Sequence, residues 1–409
     1  MPNAQPPSSQ LDCFAITAPG LEPICATELR SLGLEPRIPR DGGGVSWRGD
    51  ASSVARANLW LRTASRVIVR AARFRATAFY ELELQAKRIA WERFISPGAV
   101  VALRVTCRKS KLYHSAAVAE RIAESIGRRV GGVKMETSAA IDGEDSARDD
   151  DAGSANRQLF VIRIVHDECT VSADSSGALL HLRGYRQAIG KAPLRETLAA
   201  AMLLGAGWSG ESPLVDPMCG SGTIPIEAAM LARRMAPGRA RTFAFTHWPA
   251  HDARAWRKQL DDARSAELQQ APAAIAGSDR DAGAIAAAGA NAERAGVRAD
   301  IELHAKAISA MNDTPTADAT GLIACNPPYG VRVGDRERLR DLYAQLGNVV
   351  RRSRPGWQVA LLSADRTLER QTRLAFEERF RTSNGGIPVR LMIGLADAGL
   401  DRKRRRVSR

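Results

Sequence analysis

The sequence predicts an α/β chain: a doubly wound sheet of parallel strands in the carboxyl-terminal half, preceded by a smaller α+β region. Three observations predict it. Beyond about residue 190 the pattern alternates strand, helix, strand, helix, as in a sheet covered on both faces. Three of those strands end in a polar residue, Asp216, Asp279 and Asn326, and the first runs into a Gly-rich turn. At 409 residues the chain is also too long for one ordinary core, so two or three domains are expected.

Residues 1–10 have no apolar run and read as a disordered leader, not a signal peptide. Leu11 to Ala18 reads as a strand. Pro19-Gly20 turns it into a helix with Leu21, Ile24, Cys25, Leu29 and Leu32 at helical spacing, stopped by Gly33. Val45 to Trp47 is a short strand, and Asp50 caps a helix through Leu61. Residues 11–66 thus form one α+β module. Val67 to Phe74, Tyr80 to Ala90 and Ala99 to Thr106 follow as strand, helix and alternating strand. Arg108-Lys109-Ser110-Lys111-Leu112-Tyr113-His114-Ser115 then leads into a helix from Ala116 to about Val130. A basic loop at a helix start, with Tyr113 and His114 available to stack, suits RNA; a solvated loop has the same composition. Residues 137–157 set Asp and Glu among Ser, Ala and Gly, an acidic insertion. Leu159 to Val165 and Cys169 to Ser172 make a hairpin that closes a second module, 67–175.

Residues 176–396 make the doubly wound domain, entered through the apolar helix Leu198 to Ala206. Leu214 to Asp216 is a strand, followed by Pro217-Met218-Cys219-Gly220-Ser221-Gly222-Thr223 and a helix to Arg234. The glycines let a ligand approach the backbone, and the helix start offers free N–H groups. Neither Gly-x-Gly-x-x-Gly nor a P-loop lysine is present, so the turn suits a ligand with an amino-acid tail better than a pyrophosphate. Phe243, Phe245, Trp248 and Trp256 read as packing. Ala274 to Asp279 is the second strand, its terminal acid placed where a ribose diol is held; a plain cap for the helix Ala282 to Ala295 is the other reading. Ile301 to Ala305 and Gly321 to Cys325 are the third and fourth strands. A helix (Leu339 to Val350), a strand (Val359 to Ser363), a helix (Leu368 to Phe376) and a last strand (Val389 to Leu395) complete the domain, and 397–409 is a basic tail.

The fourth strand stops at Asn326-Pro327-Pro328-Tyr329, because proline cannot donate to a sheet ladder. This suits methylation of an exocyclic amine on a flat ring. The Asn326 side-chain oxygen and the Pro327 carbonyl can accept the two amine hydrogens and aim the nitrogen lone pair at a methyl donor. Tyr329 can stack on the ring. The bland alternative is a proline-stiffened turn.

Composition narrows the classes. The formal charge of +14 and pI near 10.1 rest on an arginine excess that suits phosphate binding, or a GC-rich genome. The six cysteines contain no Cys-x-x-Cys pair, which argues against a zinc site and a disulfide framework. No stretch has the roughly 20 apolar residues of a membrane span, and a cytoplasmic protein is expected.

The three strand ends in this order resemble the class I S-adenosylmethionine-dependent methyltransferases that modify exocyclic amines. Leu182-Arg183-Gly184-Tyr185-Arg186 with Ala192-Pro193-Leu194-Arg195-Glu196-Thr197 resembles the lead-in of the THUMP-containing RNA guanine-N2 methyltransferases. Ala18-Pro19-Gly20-Leu21-Glu22 and Lys111-Leu112-Tyr113-His114-Ser115 resemble their ferredoxin-like and THUMP regions, assigned to 11–66 and 67–175. The chain is most similar to the large-subunit 23S rRNA guanine-N2 type, over about residues 11 to 396. The resemblance implies that Asp216, Met218, Cys219, Gly220, Gly222 and Thr223 surround the methionine part of S-adenosylmethionine. Asp279 would hold its ribose, with Arg183 and Tyr185 near its carboxylate. Asn326, Pro327, Pro328 and Tyr329 would hold the target guanine, and Arg108, Lys109, Lys111, Tyr113 and His114 would contact RNA; no metal is implied. Two departures stand out. His304-Ala305-Lys306-Ala307-Ile308 lacks the acid that relatives place near the adenine. The second methyltransferase domain of the fused bacterial form is also missing, so only the guanine-N2 mark is expected. A tRNA guanine, an adenine-N6 amine and a non-enzymatic RNA-binding assembly factor are the alternatives.

Overall fold

The computed structural model describes residues 10–40, 42–136, 156–187, 194–313, 320–329 and 336–396. Residues 1–9 of the leader, 137–155 of the acidic insertion, Ala192-Pro193, Gly330 and the tail 397–409 lie outside them. The chain divides into two units, one of 1–17, 25–180 and 240–262, the other of 18–24, 181–239 and 263–409.

The first unit carries strands β1 (Leu11–Thr17), β2 (Gly44–Gly49), β3 (Ala64–Arg75), β4 (Val100–Arg108), β5 (Lys134–Glu136), β6 (Arg157–Val165) and β7 (Glu168–Asp174). With them are helices α1 (Glu22–Ser31), α2 (Ala51–Trp60), α3 (Phe79–Ala86) and α4 (Ser115–Arg129). Asp50 caps α2 by accepting from the Ser53 amide, as its position before the helix requires. All seven strands form one sheet in the order β2-β1-β3-β7-β6-β4-β5. The expected modules 11–66 and 67–175 share this sheet, and the boundary between them lies in β3, which pairs with β1 on one edge and β7 on the other. Backbone pairing of one strand on both edges leaves no mark in its side-chain pattern.

Residues 240–262, expected in the carboxyl-terminal domain, pack with the first unit. Here Phe243, Phe245 and Trp256 form an aromatic cluster with centroids 5.2–5.8 Å apart, and the Phe245 amide bonds the Ser175 carbonyl. Trp248 donates to the Gln158 side chain at 2.7 Å and meets Phe94 edge-on. The aromatic residues do pack, but in the first unit's core.

An ion pair lies deep in this unit. Arg66 of β3 and Asp174, the last residue of β7, are 3% and 0% exposed and bonded to each other. Asp174 also accepts from the Ser176 and Gly177 amides, so the pair staples the exit of β7 onto β3.

The second unit carries α5 (Glu196–Gly205), β8 (Leu214–Asp216), α6 (Thr223–Ala232), β9 (Ile275–Asp279), α8 (Ala282–Ala295), β10 (Ile301–Ala305) and β11 (Leu322–Cys325), while most of α7 (Ala253–Ser265) belongs to the first unit's stretch 240–262. Then come α9 (Arg336–Ser353), β12 (Gln358–Ser363), α10 (Arg366–Gln371), β13 (Phe376–Asn384) and β14 (Ile387–Leu395). The sheet order is β10-β9-β8-β11-β12-β14-β13, with the first five strands parallel, β14 antiparallel to β12, and β13 antiparallel to β14. Successive side chains of a strand alternate between faces. Leu214, Ile275, Leu322, Ala324, Ala360 and Leu362 accordingly join one core with α5, α6 and α8. Val215, Ala276, Ile323, Cys325, Val359 and Leu361 join the other with α9. The helix expected over 368–376 ends at Gln371, and β13, which the sequence reading missed, starts at Phe376. Its charged run Glu377-Glu378-Arg379 suits a sheet edge, where one side of the ladder stays open.

Removing one partner of a buried ion pair strands the other charge, at a cost on the order of 3–5 kcal/mol. Asp174→Ala should lower unfolding stability by that amount in denaturant titration; a loss under about 1 kcal/mol, the range of exposed pairs, would show that the staple does not matter.

Candidate active site

β8 lies between β9 and β11, and the chain leaves it to one side and later resumes on the other. Ligands of doubly wound sheets sit at the carboxyl ends of strands at such a reversal. Asp216 ends β8. It is 1% exposed and accepts the Met218 amide at 3.1 Å. Burial pushes its carboxyl up to about 8, and the neighbouring Asp279 charge adds to the rise.

The turn after β8 is tied to the end of β9. The Cys219 amide donates to the Ser278 carbonyl at 2.9 Å, and the Gly220 amide to Asp279 Oδ2 at 3.0 Å. Gly220 and Gly222 have φ of +52° and +87°, the left-handed region. Their surroundings differ. A Cβ on Gly220 would meet nothing within 4 Å, so this side of the turn is open to a ligand. A Cβ on Gly222 would meet Ala288 of α8 at 2.9 Å, so this glycine serves helix packing. Asp281 is the cap of α8, accepting from the Gly283 and Ala284 amides, which removes the plain-cap reading of Asp279. Asp279 accepts instead from Gly220 and Asp281.

Arg183 and Tyr185 are brought to Glu227, a fully buried residue of α6. The Tyr185 hydroxyl donates to Glu227 Oε1 at 3.2 Å, and Arg183 Nε lies 3.5 Å from the same oxygen. Burial raises the Tyr185 hydroxyl well above its ordinary range, with the Glu227 charge next in effect. Arg186 donates to Thr223 Oγ1 at 2.9 Å and pairs with Glu196 at 3.4 Å. Burial pushes Glu196 up to about 7 against the pull of Arg186. Asn291 of α8 donates to the Ser221 carbonyl at 3.0 Å, and Arg294 spans Asn291 and the Tyr185 carbonyl. Sequence reasoning missed Glu227, Asn291 and Arg294. The signal was there for Glu227, a lone charge in Thr-Ile-Pro-Ile-Glu-Ala-Ala-Met-Leu-Ala, since a buried charge needs partners.

Asn326 follows β11, half-buried, with Pro327 buried and Pro328 exposed. The Tyr329 hydroxyl donates to Asn326 Oδ1 and accepts from Asn384 Nδ2 at 3.3 Å. Tyr343 of α9 donates to the Pro328 carbonyl at 3.5 Å. Burial pushes the Tyr329 hydroxyl up to about 12, opposed by the Asn384 bond.

In the first unit, Arg108, Lys109, Lys111, Tyr113 and His114 are all exposed, Tyr113 at 67%. The Tyr113 and His114 rings lie 4.0 Å apart. The β6–β7 turn pins the loop: Asp167 accepts the Lys111 amide at 2.8 Å, and its own amide donates to Ser110 Oγ at 3.0 Å. Among the described residues no group of three or more His, Cys, Asp or Glu could hold a metal, and no helix is long and apolar enough to cross a membrane.

Residues 183–393 match a family profile described as the RMKL-like methyltransferase domain, and residues 12–68 match the RlmL ferredoxin-like domain. The chain belongs to the RMKL-like methyltransferase family. It is 36% identical, over 93% of its length and 95% of the relative's, to a Synechocystis protein named as an RNA methyltransferase. It is 37% identical to the ribosomal RNA large subunit methyltransferase K/L of Syntrophotalea carbinolica over 93% of its own length, but spans only 53% of that relative. A solved methyltransferase, SMU.472 in complex with S-adenosylhomocysteine, superposes with a TM-score of 0.81 at 28% identity, covering 94% of this chain and 97% of that one. As a methyltransferase of this family the chain uses S-adenosylmethionine. The open turn at Gly220 and the buried acid Asp216 fit a ligand with a cationic amino-acid tail.

The two glycines should separate on substitution. Gly220→Ala costs only left-handed strain, about 1 kcal/mol. Gly222→Ala adds overpacking against α8, about 1–3 kcal/mol more. Denaturant titration of the two variants checks this, and equal losses would refute the distinction.

Proposed function

We propose that this chain transfers a methyl group from S-adenosylmethionine to the exocyclic N2 amine of a guanine in RNA, most specifically large-subunit 23S rRNA. The observation that carries it is Asn326-Pro327-Pro328-Tyr329 at the edge that also holds Asp216, the open Gly-rich turn and Asp279. The names of the Synechocystis and Syntrophotalea relatives support RNA, and the second supports the large ribosomal subunit. The match to the RlmL ferredoxin-like domain supports the same substrate.

In this reading the turn Met218 to Thr223 and Asp216 take the amino-acid tail, and Asp279 takes the ribose diol. Arg183 and Tyr185 act on that pocket through Glu227, and Arg186 through Thr223. Asn326 Oδ1 and the Pro327 carbonyl accept the amine hydrogens, which orients the nitrogen lone pair. Tyr329 stacks on the ring. The bound donor supplies a methyl group whose carbon–sulfur bond breaks as the nitrogen–carbon bond forms, and the amine's surplus proton leaves to solvent. Residues 67–175 act as a THUMP-type RNA-binding region, with Arg108, Lys109 and Lys111 on phosphates and Tyr113 and His114 on bases.

The test is methyl transfer from labelled S-adenosylmethionine to total RNA from a strain lacking this protein, followed by nucleoside analysis. Label in N2-methylguanosine of large-subunit rRNA is expected. Label in N6-methyladenosine or in tRNA would redirect the substrate, and no label with no donor binding would make the chain an RNA-binding assembly factor. Asn326→Ala should lower kcat at least about 100-fold while donor Kd stays within about twofold, because the side chain serves the target amine. A collapse of donor affinity would overturn that role.

Asp216 makes donor binding depend on pH. In the free protein its carboxyl is protonated below about 8. A cationic ammonium binds the anion, so protons compete with donor and affinity rises with pH. Donor Kd should fall about tenfold per pH unit between pH 6 and 7.5 and level off above 8. Calorimetry in that window checks it, and a flat profile would remove Asp216 from the ammonium subsite.

A further inference from the structure

The tetrapeptide is wired to a residue 55 positions later in the chain. Asn384 ends β13 and pairs across the hairpin with Ile387 of β14. Gly385 and Gly386, both left-handed at φ +57° and +82°, make the turn tight enough to hold that pairing. From this turn the Asn384 amide donates to the Tyr329 hydroxyl, which donates in turn to Asn326 Oδ1.

The chain of bonds has a direction. A tyrosine hydroxyl has one proton. With Asn384 donating to its oxygen, that proton must find an acceptor elsewhere, and the acceptor present is the Asn326 side chain. If the Asn326 amide turned over, the hydroxyl would face two NH2 groups and its proton would have no acceptor there. The direction therefore fixes which end of the Asn326 amide is oxygen. An amide oxygen accepts two hydrogen bonds, so one site remains for an incoming amine, and bonds in series polarise one another. The hydroxyl keeps its proton throughout, since burial holds it near 12.

We propose that Asn384 is a positioning residue for the target amine: through the Tyr329 hydroxyl it sets the orientation and polarity of the Asn326 amide. The proposal rests on the amine-methylation reading above. It gives Tyr329 a second role besides its ring, and it makes the β13–β14 hairpin part of the site. Asn384 touches neither donor nor base in this scheme; its effect is carried wholly by Tyr329.

The test is a double-substitution cycle in the full chain, with 23S rRNA from the strain lacking the protein as substrate. Asn384→Asp preserves shape but presents only acceptors, so the Tyr329 proton turns toward it and the order imposed on Asn326 is lost. Loss of one net hydrogen bond in the reacting geometry should lower kcat about tenfold. RNA KM and donor Kd should stay within about twofold, a split that a structural defect would not give. Tyr329→Phe keeps the ring and should lower kcat by a similar factor. The pair Asn384→Asp with Tyr329→Phe should be no slower than Tyr329→Phe alone. Losses that multiply would overturn the proposal, since Asn384 would then act independently of Tyr329. Parent-like kcat in Asn384→Asp, with Asn326→Ala inactive, would overturn it and leave the amine reading standing. An active Asn326→Ala would overturn both. Should Asn384→Asp unfold, the same cycle with Asn384→Ala decides by the same criteria.

Discussion

The site depends on two hydrogen bonds that tie the turn after β8 to the end of β9, from Cys219 to Ser278 and from Gly220 to Asp279. Parallel strands stop together at one edge, and their last polar groups must find partners there. Here one strand end serves the next. Asp279 is drawn to the turn it supports, Asp281 is left to cap α8, and Asp216 stays buried just ahead of a turn that bends through the left-handed Gly220 and Gly222. The raised carboxyl of Asp216 follows from the same enclosure. A group held at that cost is suited to a cationic partner, which supplies the charge that solvent no longer screens.

Behind the turn, burial of charge recurs. Glu227, Arg183, Arg186 and Glu196 lie in or against apolar helices, and each has partners among its neighbours. Such pairs add little to stability compared with apolar packing of the same volume, because desolvation offsets their attraction. Their effect is on geometry: they orient Thr223 and the start of α6, where the free amides of the turn begin. Asn291 and Arg294 brace the same turn from α8.

The first unit follows a different logic. Its single sheet joins two stretches that look like separate modules along the chain, and β3 is the shared member. The Arg66–Asp174 staple and the aromatic stretch 243–256 close that sheet with residues distant in sequence. The basic loop at 108–114 is shaped by the β6–β7 turn rather than by its own residues, although its exposure follows directly from its charge.

Much of this was legible in the chain. Periodicity marked most strands and helices of both units, the Asp50 cap and the Gly-rich turn were plain, and Asp216, Asp279 and Asn326 announced a common edge. These are local signals: a helix face, a φ only glycine tolerates, a proline that ends a strand. What needed the tertiary structure were the contacts between distant residues of ordinary appearance. β13 gave no strand pattern in the sequence because an edge strand buries little on either side. The two left-handed glycines of the Gly-rich turn looked alike until α8 stood against one of them. Asn384 carried no mark in the sequence, and only the folded hairpin brings its amide to Tyr329. Sequence pattern records what each residue does to its neighbours in the chain. The polarity of a hydrogen-bond chain across 55 residues exists only once the sheet has formed.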